Sequence, residues 1–292
     1  MKKHTSLLQI HFSVFLFGFA GLFGKWIALD AISIVWGRVF FASAAFALLF
    51  LIKKIAVFNL PFRTILFLIF LGVLLGFHWW TFFLAIQLSN VALGLLSFAS
   101  FPVFTAVLEP LFFKTSINIK TILLVIISSI GLYIILPDWD WHSDYVKGVF
   151  WGVVSGLSFA VLTLFNQKVQ KNNLLPQENR SVLLSFYQDF FAMIALTPLI
   201  GSGFIYWDYM SWFQIGLLGI IFTALAHFLY IKGLKKEKAT TASLASNLEP
   251  VYGIVLAYFL LGETIELNTI IGGVLILIAA FLSVVSVKKK QL

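Results

Sequence analysis

The chain has no cysteine, and only 11% of its 292 residues are charged. Without cysteine there is no disulfide framework, no thiol nucleophile and no thiolate metal site. So few charges cannot clothe a soluble protein of this size, whose surface needs charge of both signs. The sequence also lacks a His-Glu-x-x-His pair, a phosphate-cradling P-loop and a Gly-x-Gly-x-x-Gly turn after a strand. Gly156-Leu-Ser158-Phe-Ala160 resembles the start of a serine-nucleophile motif but lacks the closing glycine, so it reads as small-residue helix packing. These absences point away from an enzyme and from any cofactor or metal. With no ATP-binding element, transport work would have to draw on a gradient.

What is present is apolar: 61% of residues are hydrophobic and the mean hydropathy is +1.00. A helix needs about 20 apolar residues to span a bilayer. Barrel strands would alternate polar and apolar residues, and these runs do not. The runs are 7–29, 32–52, 64–86, 91–113, 119–136, 148–168, 181–201, 211–231, 239–261 and 268–287. Ten such runs joined by short connections define an all-α polytopic membrane protein. Lys2 and Lys3 before an apolar run look like a secretory signal, but the run is too long and no small-x-small site follows. It is expected to be a retained first span.

Charge orients the spans. Seventeen of the 20 Lys and Arg fall at the ends that share the side of the termini, among them Lys53, Lys54, Arg63, Lys171 and Lys235. The other side collects Asp30, Asp138, Asp140, Asp144, Asp208, Glu263 and Glu266. By the positive-inside rule both termini are cytoplasmic, in a plasma (bacterial inner) membrane. The net charge of +8 is therefore topological, and dispersed cations on short loops argue against a nucleic-acid partner. Cysteines placed at Ser6 and Asp140 are predicted to label from opposite sides.

A shift of 148 positions lays the second half on the first, matching Pro102-Val103 to Pro250-Val251 and bringing His78 beside His227. The expected organisation is a first five-helix repeat over 1–136, a connecting loop over 137–147 and a second repeat over 148–292. Five is odd, so the second repeat enters the membrane inverted. That arrangement in secondary transporters places the substrate site between the repeats near the midplane.

The segments GFAGLFGKWIAL (Gly18 to Leu29), SFASFPVFTAVLEPLFF (Ser97 to Phe113) and SLASNLEPVYGIVLAYFLLGE (Ser243 to Glu263), with the Arg38 span, resemble the EamA-like members of the drug/metabolite transporter superfamily over almost the whole length. The first-half copy departs from the pattern where Lys114-Thr115 stand in place of Gly262-Glu263. The resemblance implies two five-helix repeats with four helices of each around a central cavity, and names a transporter without naming its cargo.

Ionisable residues inside a span are costly and default to functional hypotheses. Arg38, His78, Asp189, His227 and Glu249 qualify. Glu249 follows Asn247 and precedes Pro250, and a proline at Pro102 or Pro250 breaks the helix and frees a carbonyl one turn back. The Asn-Glu pair there could meet a substrate ammonium or hold a proton; the alternative is a protonated Glu capping loosened backbone. Trp36/Arg38 and Tyr187/Asp189 suggest a pairing across the two halves, for substrate or simply to lock helices together, although their depths differ. His78, Trp79, His227 and Tyr230 lie in aromatic patches suited to a proton relay or substrate contact, or to plain packing. Gly272 and Gly273 could support a homodimer contact.

The leading functional expectation is a proton-coupled secondary transporter of a small metabolite, such as an amino acid or related compound, surrounded by membrane lipid. The alternatives are an intramembrane or lipid-processing enzyme, or a channel.

Overall fold

A computed structural model of the chain describes residues 2–57, 60–113, 119–136, 140–172, 174–237 and 239–288. Lys114-Thr115 and residues 137–139 of the connecting loop lie outside them. Among the described residues every regular element is helical: α1 (Lys2–Trp26), α2 (Ala31–Lys53), α3 (Phe62–Leu88), α4 (Val91–Phe98), α5 (Phe101–Phe113), α6 (Ile119–Ile134), α7 (Asp144–Lys171), α8 (Arg180–Ile200), α9 (Tyr209–Gly219), α10 (Ala226–Gly233), α11 (Ala239–Ser246), α12 (Leu248–Leu261) and α13 (Leu267–Lys288). Seven helical stretches are long and apolar enough to cross a membrane, and 122–134, 248–261 and 267–282 are shorter apolar helices. With α4–α5, α9–α10 and α11–α12 each counted as one interrupted stretch, the elements follow the ten apolar runs of the sequence. The fold is that of a multi-pass membrane protein.

The interruptions have local causes. Pro102 and Pro250 sit in the first turns of α5 and α12, where a missing N–H costs nothing, and the chain is irregular just before each. The run read as 211–231 is not one α-helix, because residues 220–225 form a π-helical segment between α9 and α10. Apolar periodicity cannot register one extra residue per turn, and such segments concentrate at functional sites. The stretch read as a loop over 137–147 is partly helical, since α7 begins at Asp144.

Helix ends are tied by side chains. Asp30 accepts from the Ser33 N–H at 3.0 Å and starts α2, and Asp208 accepts from the Ser211 N–H at 2.8 Å to start α9. The Ser211 hydroxyl and N–H hold the Asp208 carboxyl below the usual carboxylate range. Gly262 closes α12 at φ 68°, a left-handed conformation that suits glycine. That turn presents Glu263, whose two carboxylate oxygens both lie 3.1 Å from the Val91 N–H at the start of α4. Lys25 donates to the Gln87 and Ser89 carbonyls at 3.2 and 3.0 Å, where α3 ends. The Gly-Glu pair of the sequence pattern thus serves as an inter-helix cap.

α3 packs against α7 and α8, α2 against α8, and α1 against α10 and α12, while α6 and α13 pair beside them. Trp36 Nε1 donates to Thr197 Oγ1 at 3.0 Å, and the Phe50 and Phe186 rings meet at 5.0 Å, so α2 and α8 run antiparallel. A Cβ on Gly272 would fall 2.5 Å from the Gly131 carbonyl oxygen, and one on Gly273 would fall 2.9 Å from Leu96 Cδ1. Both glycines seat α13 against α6 and α4 of the same chain. The sequence argument for a homodimer through them is therefore withdrawn.

Ser6 is buried. The labelling experiment is better done at Asn172 and Asp140, both exposed. In a chain without native cysteine, Asn172→Cys and Asp140→Cys should react with an impermeant maleimide from opposite sides of sealed vesicles. Reaction of both from one side would contradict the topology.

Candidate functional site

The site begins with two close helix crossings. A Cβ on Gly18 would stand 2.7 Å from Tyr252 Cβ and 3.2 Å from the Glu249 carbonyl oxygen, so this glycine lets α1 lie directly on α12 and fixes Glu249 beside it. A Cβ on Gly219 would stand 2.7 Å from the Arg38 carbonyl oxygen, which brings α2 against the π-helical segment.

Arg38 is 1% exposed. Its Nε donates to Thr223 Oγ1 at 2.8 Å, its Nη2 lies 3.4 Å from the Phe222 carbonyl, and its guanidinium sits 4.0 Å from the centre of the Trp79 ring. Thr223 Oγ1 in turn donates to the Leu218 carbonyl at 2.8 Å, an i−5 contact of the widened turn. A buried cation thus bridges the π-helical segment to α3 through hydrogen bonds and a cation–π contact. Asp189 and Glu249 are the acids close enough to act on it electrostatically.

On the other side of Trp79, its ring meets the His227 ring edge-on at 5.5 Å, and His227 Nδ1 lies 3.4 Å from Asp189 Oδ1. That is ion-pair distance without hydrogen-bond geometry. Neither Asp189 oxygen and neither His227 nitrogen has a hydrogen-bond partner among the described residues. Buried groups left this way call for a partner beyond the protein. The Asn247 side-chain amide, buried between α11 and α12, is also unpartnered among the described residues.

His78 is held differently. Its Nδ1 lies 3.1 Å from the Ser155 carbonyl and 2.9 Å from Ser155 Oγ, so the proton on that nitrogen is assigned to the carbonyl contact. Its ring stacks on Phe159 at 4.8 Å. Arg38, His78, Trp79 and Glu249, with Phe98 and Phe159, surround one buried cavity of ≈ 20 Å³. That is room for about one water molecule. A space of that size holds no solute larger than water, so binding one requires the helices to part. Tyr230 stands at the edge of this group, its hydroxyl 3.4 Å from Thr163 Oγ1 and its ring 5.5 Å from Phe159.

Tyr187 does not join the site. Residues two apart on a helix point about 200° apart, so Tyr187 and Asp189 face opposite ways, as do Trp36 and Arg38. The Tyr187 hydroxyl donates to the Val57 carbonyl, while Trp36 stacks on Phe204 at 5.2 Å. The expected Arg38–Asp189 pairing is replaced by Arg38–Thr223 and Asp189–His227. Sequence reasoning passed over Ser155, Thr223 and Phe159, and also Asn166, whose Oδ1 accepts from Gln188 Nε2 at 2.6 Å. Hydroxyls and aromatics are too common in this chain to signal a site, but two amides inside apolar runs were a usable sign.

A multi-pass helical fold enclosing a small buried site of one cation, two acids, two imidazoles and aromatic walls defines a membrane protein built to handle a solute. The model of the EamA-like transporter family matches residues 4–136 and again 146–285, and the chain belongs to that family. It is 28% identical to an uncharacterized transporter of Archaeoglobus fulgidus over 91% of both chains. It is 29% identical to an S-adenosylmethionine uptake transporter of Rickettsia bellii over 75% of this chain and 72% of that one. A solved crystal structure with 16% identity superposes over 95% of this chain and 96% of the other at a TM-score of 0.65, a likeness of fold. These relatives are named as transporters, and the non-enzymatic reading of the sequence agrees with them.

Proposed function

We propose that the chain is a proton-coupled secondary carrier of a small zwitterionic metabolite, working by alternating access of the site between two inverted repeats. The observation that carries this reading is the placement of Arg38 and Glu249 on one cavity, a cation and an acid walled by aromatic rings. An amino-acid end fits that pair, with its carboxylate toward Arg38 and its ammonium toward Glu249. The uptake activity for which the Rickettsia relative is named makes S-adenosylmethionine the first compound to test, alongside amino acids.

Repeats over 1–136 and 148–292 are supported by the double match of the family model and by the helix breaks, since α4 ends at Phe98 and α11 at Ser246, 148 positions later. The neighbour relations agree: α4 and α5 pack on α7 as α11 and α12 pack on α1. Charge asymmetry supports cytoplasmic termini in a plasma membrane. Asp189 and Glu249 supply the proton, because a solvent-shielded acid can exchange one with each side in turn as the repeats rock.

Counterflow into proteoliposomes tests the reading: a labelled substrate should enter against a load of the same unlabelled compound and saturate. His78→Ala should raise the half-saturation concentration about tenfold, the loss of one hydrogen bond in a buried site, while leaving the melting temperature within a few degrees. Equal loss of both would make His78 a packing residue. Linear, unsaturable entry would indicate a channel, and a converted product an enzyme.

A further inference from the structure

α2 and α8 form a two-faced wall. One face carries Arg38 and Asp189 into the central site. The other, with Val57, Leu60 and Ile65, encloses a second and much larger cavity of ≈ 520 Å³, lined by Phe40, Ala44, Ala47, Phe186, Phe190 and Met193 among others. That volume is typical of a ligand site. Its wall is apolar apart from Tyr187, whose hydroxyl is already given to the Val57 carbonyl, and Ser43. A solute with several polar groups would find nothing to bond. The cavity reaches the molecular surface at Phe40, which is 38% exposed, and the same segments expose Leu51, Ile52, Phe62 and Leu66.

Three cations flank one end of this cavity in the sequence. Val57, Leu60 and Ile65 line it, and the chain that brings them there carries exposed Lys53, Lys54 and Arg63. Lys54 is the left-handed cap of α2 (φ 52°), so the chain turns sharply there. Ser43 lies ten residues up the helix from Lys53, about 15 Å at 1.5 Å per residue. The cavity is thus an apolar slot whose flanking chain carries three exposed cations.

We propose that this lateral cavity binds an anionic phospholipid of the Lys/Arg-rich leaflet, one acyl chain lying between α2 and α8 and the phosphate facing Lys53, Lys54 and Arg63. Basic pockets between membrane helices recognise anionic head groups in this way. An acyl chain satisfies an all-apolar slot, and the flanking cations select the head group. Because the slot backs directly onto the wall that bears Arg38 and Asp189, the bound chain wedges the two helices that hold the transport site. The proposal stands whether or not the central site carries a proton.

The test is native mass spectrometry of the intact protein released from nanodiscs containing equal phosphatidylglycerol and phosphatidylcholine. The wild type should retain one phosphatidylglycerol. Ala47→Trp, which fills the slot, should lose it while eluting as a folded protein. Lys53→Gln/Lys54→Gln/Arg63→Gln, confined to exposed positions, should keep a bound lipid but lose the phosphatidylglycerol preference by about fivefold per cation removed. Ser43→Ala should change nothing, because an acyl chain offers no partner to a hydroxyl. Full retention in Ala47→Trp, an unchanged preference in the triple variant, or loss of the ligand in Ser43→Ala would each overturn the proposal.

Discussion

Glu249→Gln should abolish flux driven by a pH gradient while the protein remains folded. Glutamine keeps the size of the side chain and a carbonyl acceptor but cannot release a proton. Glu249 lies on the same cavity as Arg38, with α1 fixed against its backbone by Gly18. Wild-type vesicles with an acidic exterior should accumulate or expel substrate until the proton gradient is spent. The variant should show counterflow at most, with no response to the gradient. The measurement is substrate flux with and without an imposed pH step, alongside the melting temperature. Unchanged pH-driven flux in Glu249→Gln would make the glutamate structural and move coupling to Asp189 and the histidines.

Arg38→Met should be the more damaging change for binding. The methionine can fill the space against Trp79 and Phe83, but Thr223 Oγ1 loses the Arg38 donor while keeping its bond to the Leu218 carbonyl, and the two nearby acids lose the cation that compensates them. Removing one member of a buried charged group costs about 3–5 kcal/mol, or roughly 150- to 4000-fold in the transport specificity constant. Arg38→Lys should not restore it, since an ammonium cannot both donate from the Nε position to Thr223 and lie flat on Trp79. Counterflow kinetics of the three proteins decide the point. Flux within about tenfold of wild type in Arg38→Met would remove the arginine from the site.

The distribution of legible and illegible features follows from the physics of the chain. Ten apolar runs were readable because each run must satisfy its own backbone, so helix length is written directly in hydropathy. Proline alone did not mark the breaks, since Pro102 and Pro250 sit in the first turns of helices that follow irregular backbone while Pro110 and Pro198 lie inside continuous helices. The partners of the buried charges were not readable either. Arg38 finds Thr223 at a separation of 185 residues through a π-helical segment that no periodicity announces. Placing Tyr187 with Asp189 failed for a simple geometric reason, since residues two apart on a helix cannot share a face. Gly272 and Gly273 were correctly read as close-contact positions, but a small-residue stripe does not say which helix will use it. The lateral slot between α2 and α8 left no sequence sign, because its wall is made of the same Phe, Ala and Leu as the rest of the chain.

The central claim is that this protein carries a solute unchanged through a saturable site between its two halves. The most direct measurement loads proteoliposomes with a mixed metabolite extract, imposes an inward or outward pH gradient, and compares the internal and external solutes by mass spectrometry for wild type, Glu249→Gln and empty vesicles. The account predicts that one or a few amino-acid-like zwitterions move in the wild type alone, chemically unchanged, and faster when the same solute is present on the far side. Movement of many unrelated solutes without such trans-stimulation, or appearance of a product absent from the extract, would contradict it.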